Sequence, residues 1–187
     1  QDDRYEVYRA LGYSSGFEEK EQQKRNDPQL SLNNCQTVIA AAIAYPHQER
    51  EKIAKQDRGR FAYASWGRDY HRVMSEKLCL LGEFCRHLWS DCHYQVMVDT
   101  GSLSDRGAAF CAGLGWIGRN SNLINQELGS FIYLGELLLD VTLDDDDKIA
   151  DGCGDCRLCV EACPLGAIDS ERRMVDARKC LAYSTLN

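Results

Sequence analysis

No stretch of this 187-residue sequence is long and apolar enough to span a bilayer. About 20 such residues in a row are needed, and the longest candidate, 38–45, has the length of a buried strand. A soluble protein without membrane contact is expected. A surplus of positive charge is also missing: 22 Lys and Arg stand against 29 Asp and Glu, for a formal net charge of −7. That excludes a surface built uniformly to hold a phosphate backbone, so any nucleic-acid contact requires a local basic patch. Residues 1–4 show neither the apolar core nor the small-residue cleavage site of a secretory signal, which points to the cytoplasm. An initiating Met is absent and no closing element is evident at 185–187, so an excerpt of a longer chain is expected. No internal repeat is evident.

What is present is 44% hydrophobic residues, enough to bury a sizeable core in one main domain with a small appendage. Residues 2–11 read as a short amphipathic helix stopped by Gly12, with a loop over 12–16. The apolar run 37–45, closed by Pro46, fits a buried strand. From 69 to 89, the apolar side chains of Tyr70, Val73, Met74, Leu78, Leu81, Phe84, Cys85 and Leu88 recur at helical spacing, giving a long helix with a core stripe. Residues 94–98 predict a second strand that ends at Asp99, after which 100–102 turn the chain into a helix running toward Cys111 and stopped by Gly113. Strand, turn and helix in that order indicate the α/β class. Two apolar runs, 122–125 and 131–140, flank 127–130 and suggest a hairpin. The charged run 144–148 (DDDDK) is a solvated segment and marks a boundary between domains at 1–147 and 148–187. A calcium loop is the weaker reading there, because spaced oxygen ligands and a turn glycine are missing. His71, His87 and His93 share no metal-ligand spacing, so hydrogen-bonded or solvated histidines are expected.

Five of the ten cysteines, Cys35, Cys79, Cys85, Cys92 and Cys111, lie on otherwise apolar segments and read as small buried hydrophobes. The rest are grouped differently. Cys153, Cys156, Cys159 and Cys163 follow the spacing C-x2-C-x2-C-x3-C, with Pro164 next, which is that of bacterial ferredoxins. Two-residue gaps let a tight loop wrap three thiolates around one cube of iron and sulfide, with Gly154 permitting the bend. The fourth cysteine of such a run ligates the other cluster in two-cluster ferredoxins, so Cys163 is assigned to a second 4Fe-4S cluster. Cys180, beside Arg178 and Lys179, either joins it or is buried. Further ligands are expected beyond Asn187. Zinc is the alternative, disfavoured because zinc sites usually pair two separated C-x2-C knuckles.

Residues 12–18 (GYSSGFE), 64–71 (ASWGRDYH), 98–106 (VDTGSLSDR), 112–118 (AGLGWIG) and the cysteine run together resemble the epoxyqueuosine reductase family, over essentially the whole chain. The resemblance implies a nitroreductase-like α/β domain that binds cobalamin, followed by a ferredoxin-like domain with two 4Fe-4S clusters, here incomplete. It implies an oxidoreductase that reduces epoxyqueuosine to queuosine at the tRNA wobble position. Electrons would pass from an external donor through the clusters to cobalamin, in a monomer. It also implies that Asp99 is the proton donor over the cobalt, and the end of a strand is where open α/β sheets place their sites. Donation near neutral pH needs a raised pKa, which burial beside an apolar macrocycle would supply against the pull of the following helix N-terminus. A plain helix cap is the alternative. Arg106 and Arg119 flank the segment and could hold cofactor amide and phosphate groups or an RNA phosphate, or be surface charges. The family often has Lys where Arg119 stands and Thr where Ser121 stands, exchanges that keep the donor. Tyr70 and Trp116 could pack on the corrin or in the core, and Gly115 is carried over as a cofactor contact. Two rival readings are a plain ferredoxin-type electron carrier and a reductive dehalogenase-like cobalamin enzyme.

Overall fold

In the computed structural model, which describes residues 4–45 and 61–186, the apolar run 131–140 supplies the central strand of a three-stranded sheet. That strand, β5 (Ile132–Leu139), lies antiparallel between β1 (Thr37–Ala44) and β2 (Tyr94–Met97). Pairing runs from Thr37 opposite Leu139 to Ala44 opposite Ile132 on one side, and from Tyr94 opposite Leu139 to Met97 opposite Glu136 on the other. Because β5 is covered on both faces, Leu137, Leu138 and Leu139 are all fully buried and the strand reads as a continuous apolar run. Pro46 and the first three residues lie outside the described residues.

Two short helices, α1 (Arg4–Ala10) and α2 (Gln22–Asn26), precede the sheet. The long helix α3 (Tyr70–Leu88) covers one face and carries the expected stripe. Met74, Leu78 and Cys85 pack on Leu137, Leu139, Val98 and Cys92. Asp69 caps it, its carboxylate accepting from the His71 amide. The stripe outruns the sheet: Phe84 and Leu88, both assigned to the core by periodicity, are exposed. Helical spacing fixes which residues share a face but not how far the neighbouring surface extends.

The other face is covered by α4 (Asp105–Cys111), whose Ala109 packs with Ile117 and Leu123. The latter two belong to a small antiparallel pair, β3 (Trp116–Ile117) and β4 (Leu123–Ile124). This corrects the expected hairpin. A turn does form, with Asn125 bridged to Gly129, but β4 pairs with β3 while β5 pairs with β1 and β2. Two adjacent apolar runs cannot reveal that each has a better partner elsewhere. Three of the five lone cysteines, Cys35, Cys85 and Cys92, are buried as expected, whereas Cys79 and Cys111 are exposed on the outer sides of α3 and α4.

The tail after the acidic run contains one helical turn, α5 (Leu158–Glu161), the hairpin β6 (Ile168–Asp169) with β7 (Met174–Val175), and α6 (Leu181–Leu186). It folds back on the start of the chain. The Ala177 amide donates to the Tyr13 carbonyl at 2.9 Å, and the Tyr13 hydroxyl donates to Asp169 at 3.2 Å. Among the described residues no helix is long and apolar enough to cross a membrane.

Candidate active site and cluster loop

Where β2 ends, the chain turns sharply: the Thr100 amide donates to the Val98 carbonyl at 2.6 Å, and Asp99 between them takes φ +58°. Left-handed backbone is costly for a residue with a Cβ, less so for Asp, and such strain concentrates at functional sites. Asp99 does not cap a helix. The N-cap position of α4 belongs to Ser104, so neither the cap nor the opposing helix-end field applies to Asp99. Nor does this chain bury it, since the side chain is 60% exposed. Desolvation of Asp99 would have to come from whatever binds over it.

What the chain does supply is a line of polar groups. His71, in the first turn of α3, places Nδ1 2.7 Å from Asp69 Oδ1 and Nε2 3.3 Å from Asp99 Oδ2. A ring with an acceptor at each nitrogen is fully satisfied only as the imidazolium, which donates from both. The Asp69 carboxylate foremost, with Asp99 adding to it, accordingly holds His71 above its ordinary pKa. Tyr70, the next residue back, lies within reach of the Asp99 charge as well. Burial first and the Asp99 charge second push its hydroxyl up to about 12, so it stays a neutral donor.

Beside this line lies a ledge of aromatic rings. Tyr70 stacks on Tyr133 at 4.2 Å and 4°, Tyr133 packs on Tyr45 at 4.5 Å, and Tyr45 meets Phe131 edge-on. Tyr63 meets both Phe131 and Trp66, and Trp66 and Phe131 extend the ledge as exposed apolar surface. Exposed apolar patches of this kind mark ligand or partner sites. A cavity of about 690 Å³ is lined by His71 together with Ser75, Met97, Thr100 and Gly101.

The cysteine loop is braced from β3 and the turn after it. Trp116 Nε1 donates to Cys153 Sγ at 3.4 Å. Arg119 donates to the carbonyls of Gly154 at 2.8 Å and Ser170 at 3.4 Å. Arg173, itself at φ +54°, donates to the Ile117 carbonyl at 2.6 Å and pairs with Asp151 at 2.6 Å, holding that carboxyl well below the usual carboxylate range. Asp151 in turn accepts from the Cys153 amide at 3.1 Å. At the other end of the loop, the Ala167 amide donates to Cys163 Sγ at 3.3 Å. This amide foremost, with those of Leu165, Ile168 and Gly166, pulls the Cys163 thiol below its ordinary pKa. Donors aimed at sulfur favour thiolate, the form in which cysteine binds iron. Cys156 is exposed, and Cys153, Cys159, Cys163 and Cys180 are half-buried.

The residues singled out from sequence therefore divide. Tyr70 stands beside Asp99. Trp116 and Arg119 face the cysteine loop. Arg106 donates to the Ser121 carbonyl at 2.6 Å, tying α4 to the β3–β4 turn. Gly115 is buried, and a Cβ there would fall against the Ile124 carbonyl oxygen, so its smallness serves the approach of β4. Sequence reasoning missed Asp69, His71, Asp151 and Arg173 as site residues. The spacing between histidines carries no signal for His71; its place two residues after the cap of a long helix does.

Comparison with known proteins bears on both regions. The family described as "Epoxyqueuosine reductase QueG, DUF1730" matches residues 25–100, and "4Fe-4S double cluster binding domain" matches residues 152–187. An epoxyqueuosine reductase of Staphylococcus aureus is 42% identical over 183 residues, covering 96% of this chain and 48% of that protein. A crystal structure of epoxyqueuosine reductase with an epoxyqueuosine-modified tRNA-Tyr stem loop superposes with a TM-score of 0.88 at 39% identity, over 99% of this chain and 50% of that one. A Bacillus subtilis epoxyqueuosine reductase, captured with its catalytic aspartate loop swung out of the active site, gives 0.87 at 38%, over 99% and 50%. This chain spans about half the length of the relatives it matches.

Proposed function

Because the chain belongs to the epoxyqueuosine reductase family, we propose that the intact protein reduces epoxyqueuosine to queuosine in the anticodon of a tRNA, with Asp99 delivering a proton at the epoxide. The observation that carries this reading is the line Asp69, His71, Asp99 at the end of β2, in the same folded body as the cysteine loop.

Removing an epoxide oxygen as water breaks two C–O bonds, forms a C=C bond, and takes up two electrons and two protons. The chain's own residues account for proton supply. Asp99 is exposed at the mouth of the site, where a substrate atom can reach it. The His71 imidazolium stands behind it as a donor able to reprotonate it, and Asp69 holds the ring in register. Tyr70 steadies the Asp99 carboxylate from the side.

The aromatic ledge beside Asp99 suits the apolar body of a broad macrocycle. In this reading residues 1–147 form a nitroreductase-like cobalamin-binding domain, Tyr70 and Arg106 help to hold the cofactor, and its cover desolvates Asp99. Cobalamin, when bound, supplies a strongly reducing metal centre; the protein supplies position and protons. Residues 148–187 form the first part of a ferredoxin-like domain. Cys153, Cys156 and Cys159 ligate one 4Fe-4S cluster, Cys163 and Cys180 serve the other, and the sulfur-directed donors described above fit that assignment. The protein works in the cytoplasm as a monomer fed by an external electron donor.

Replacing Asp99 with Asn in the intact protein tests the proposal. Iron and cobalamin contents should match the parent while epoxide reduction is abolished; undiminished turnover would refute the role of Asp99.

A further inference from the structure

We infer that the Trp116 indole N–H is a positioning and tuning donor for the cluster held by Cys153, raising that cluster's reduction potential by stabilising the extra electron on its sulfur ligand. The inference rests on the reading that Cys153 ligates iron. It assigns to Trp116 a role distinct from packing on the corrin.

Three features carry it. First, the indole N–H is a donor with no acceptor capacity, and its partner is the Sγ of Cys153 at 3.4 Å. Second, the ring is held in that pose. Trp116 is fixed by β3 pairing opposite Ile124, and Gly152 lies flat against the indole, so that a Cβ on Gly152 would come within 2.6 Å of the ring. Third, the acceptor is held as firmly as the donor. The residue before Gly152 is tied by Arg173, which also bonds the carbonyl of Ile117, and the residue after Cys153 is tied by Arg119. Positions 116, 117 and 119 thus all engage the cysteine loop or the arginine that braces it. A structural clamp alone would be complete with the two arginines; the donor aimed at sulfur is additional.

A hydrogen bond to a cluster sulfur is one of the protein's levers on potential, along with net charge and solvent exposure. Reduction adds negative charge to the cluster and its thiolates. A fixed N–H dipole pointing at one of them lowers the free energy of the reduced state more than that of the oxidised state. Removing the donor should therefore make the cluster harder to reduce.

The test is an anaerobic redox titration, followed by electron paramagnetic resonance, of full-length parent and Trp116→Phe proteins. Phe keeps a ring against Gly152 but has no N–H. The expected result is equal iron content and a midpoint potential shifted negative for one cluster only. Equal iron with an unshifted midpoint overturns the inference. Should the variant fail to load iron, the parent labelled with ¹⁵N-indole tryptophan decides. One indole N–H resonance, identified as Trp116 by its absence from the spectrum of the Trp116→Phe protein, should move between oxidised and reduced states. A resonance insensitive to cluster oxidation state overturns the inference by this route. Parent protein that holds no iron at all would instead bring down the cluster assignment, a failure distinguishable from either.

Discussion

Cysteines occupy two kinds of place in this chain, and the contrast lies in what faces each sulfur. Cys85 and Cys92 lie between α3 and the sheet and Cys35 on the opposite face; burial pushes all three thiols up, so each stays a neutral hydrophobe. Cys163 lies half-buried on a bend of the tail, where backbone amides converge on its sulfur and pull it down. The Cys153 sulfur meets an indole N–H instead of apolar surface. Burial protects the proton at Cys35, Cys85 and Cys92, and hydrogen bonding favours its loss at Cys163. Composition alone does not separate the two sets; the groups aimed at sulfur do.

The widest break in that contrast comes from exchanging cysteines on each side. Cys153→Ala in the intact protein should forfeit one cluster's iron, whereas Cys85→Ala should keep all of it and lose only stability. Iron counting after anaerobic purification distinguishes them, and equal loss in both would erase the difference between the regions.

Next in size is the proton line. His71→Asn should lower turnover by about 10²- to 10⁴-fold, the usual range for a group in general acid–base catalysis, with iron and cobalamin retained. The sign of the pH dependence follows from the direction of the shift. A raised pKa extends the pH range over which His71 stays protonated, so parent turnover should decline as pH climbs through that raised value. The decline should vanish in the variant; a pH profile identical to the parent's would remove His71 from proton supply.

In the sheet core, Leu78→Ala deletes a fully buried side chain from the α3 stripe and should cost about 2–5 kcal/mol in chemical denaturation without changing iron content in the native state. Loss of iron before unfolding would show that core and loop are one cooperative unit.

Glu136 sharpens the contrast from the other side. It is 0% exposed on β5, neither carboxylate oxygen has a hydrogen-bond partner among the described residues, and burial foremost pushes its pKa up to about 8. Its folded-state pKa lies above its unfolded value of about 4.3, so the proton it carries stabilises the fold fully below that value. The stabilisation is lost progressively as pH rises toward 8. Glu136→Gln should therefore flatten the dependence of stability on pH across that window, by an amount on the order of a few kcal/mol. Denaturation series at pH 5 and pH 8.5 with the same slope for parent and variant would show that Glu136 is not buried as a neutral acid. The smallest effect belongs to Cys79→Ser on the exposed side of α3, expected within about 0.5 kcal/mol of the parent.

Much of this was legible in the residues themselves. The stripe from Tyr70 to Cys85 specified α3, the period of the run 94–98 specified β2, and the spacing of Cys153, Cys156, Cys159 and Cys163 specified a cluster loop. Each of these is a local matter, since backbone geometry repeats every few residues and side chains that share a face must recur with it. Even the placement of Asp99 at a strand end came from such local grammar.

Only the tertiary structure decided which distant groups meet. His71 and Asp99 are 28 residues apart, Trp116 and Cys153 are 37 apart, and Arg119 and Ser170 are 51 apart. The same packing left Phe84 and Cys79 in solvent, sent β4 to β3, and turned Trp116 and Arg119 away from Asp99 toward the cysteine loop. Such pairings depend on where whole elements come to rest against each other. No period in the chain encodes that, because the contacts are settled by the shapes and polar needs of surfaces far apart in sequence.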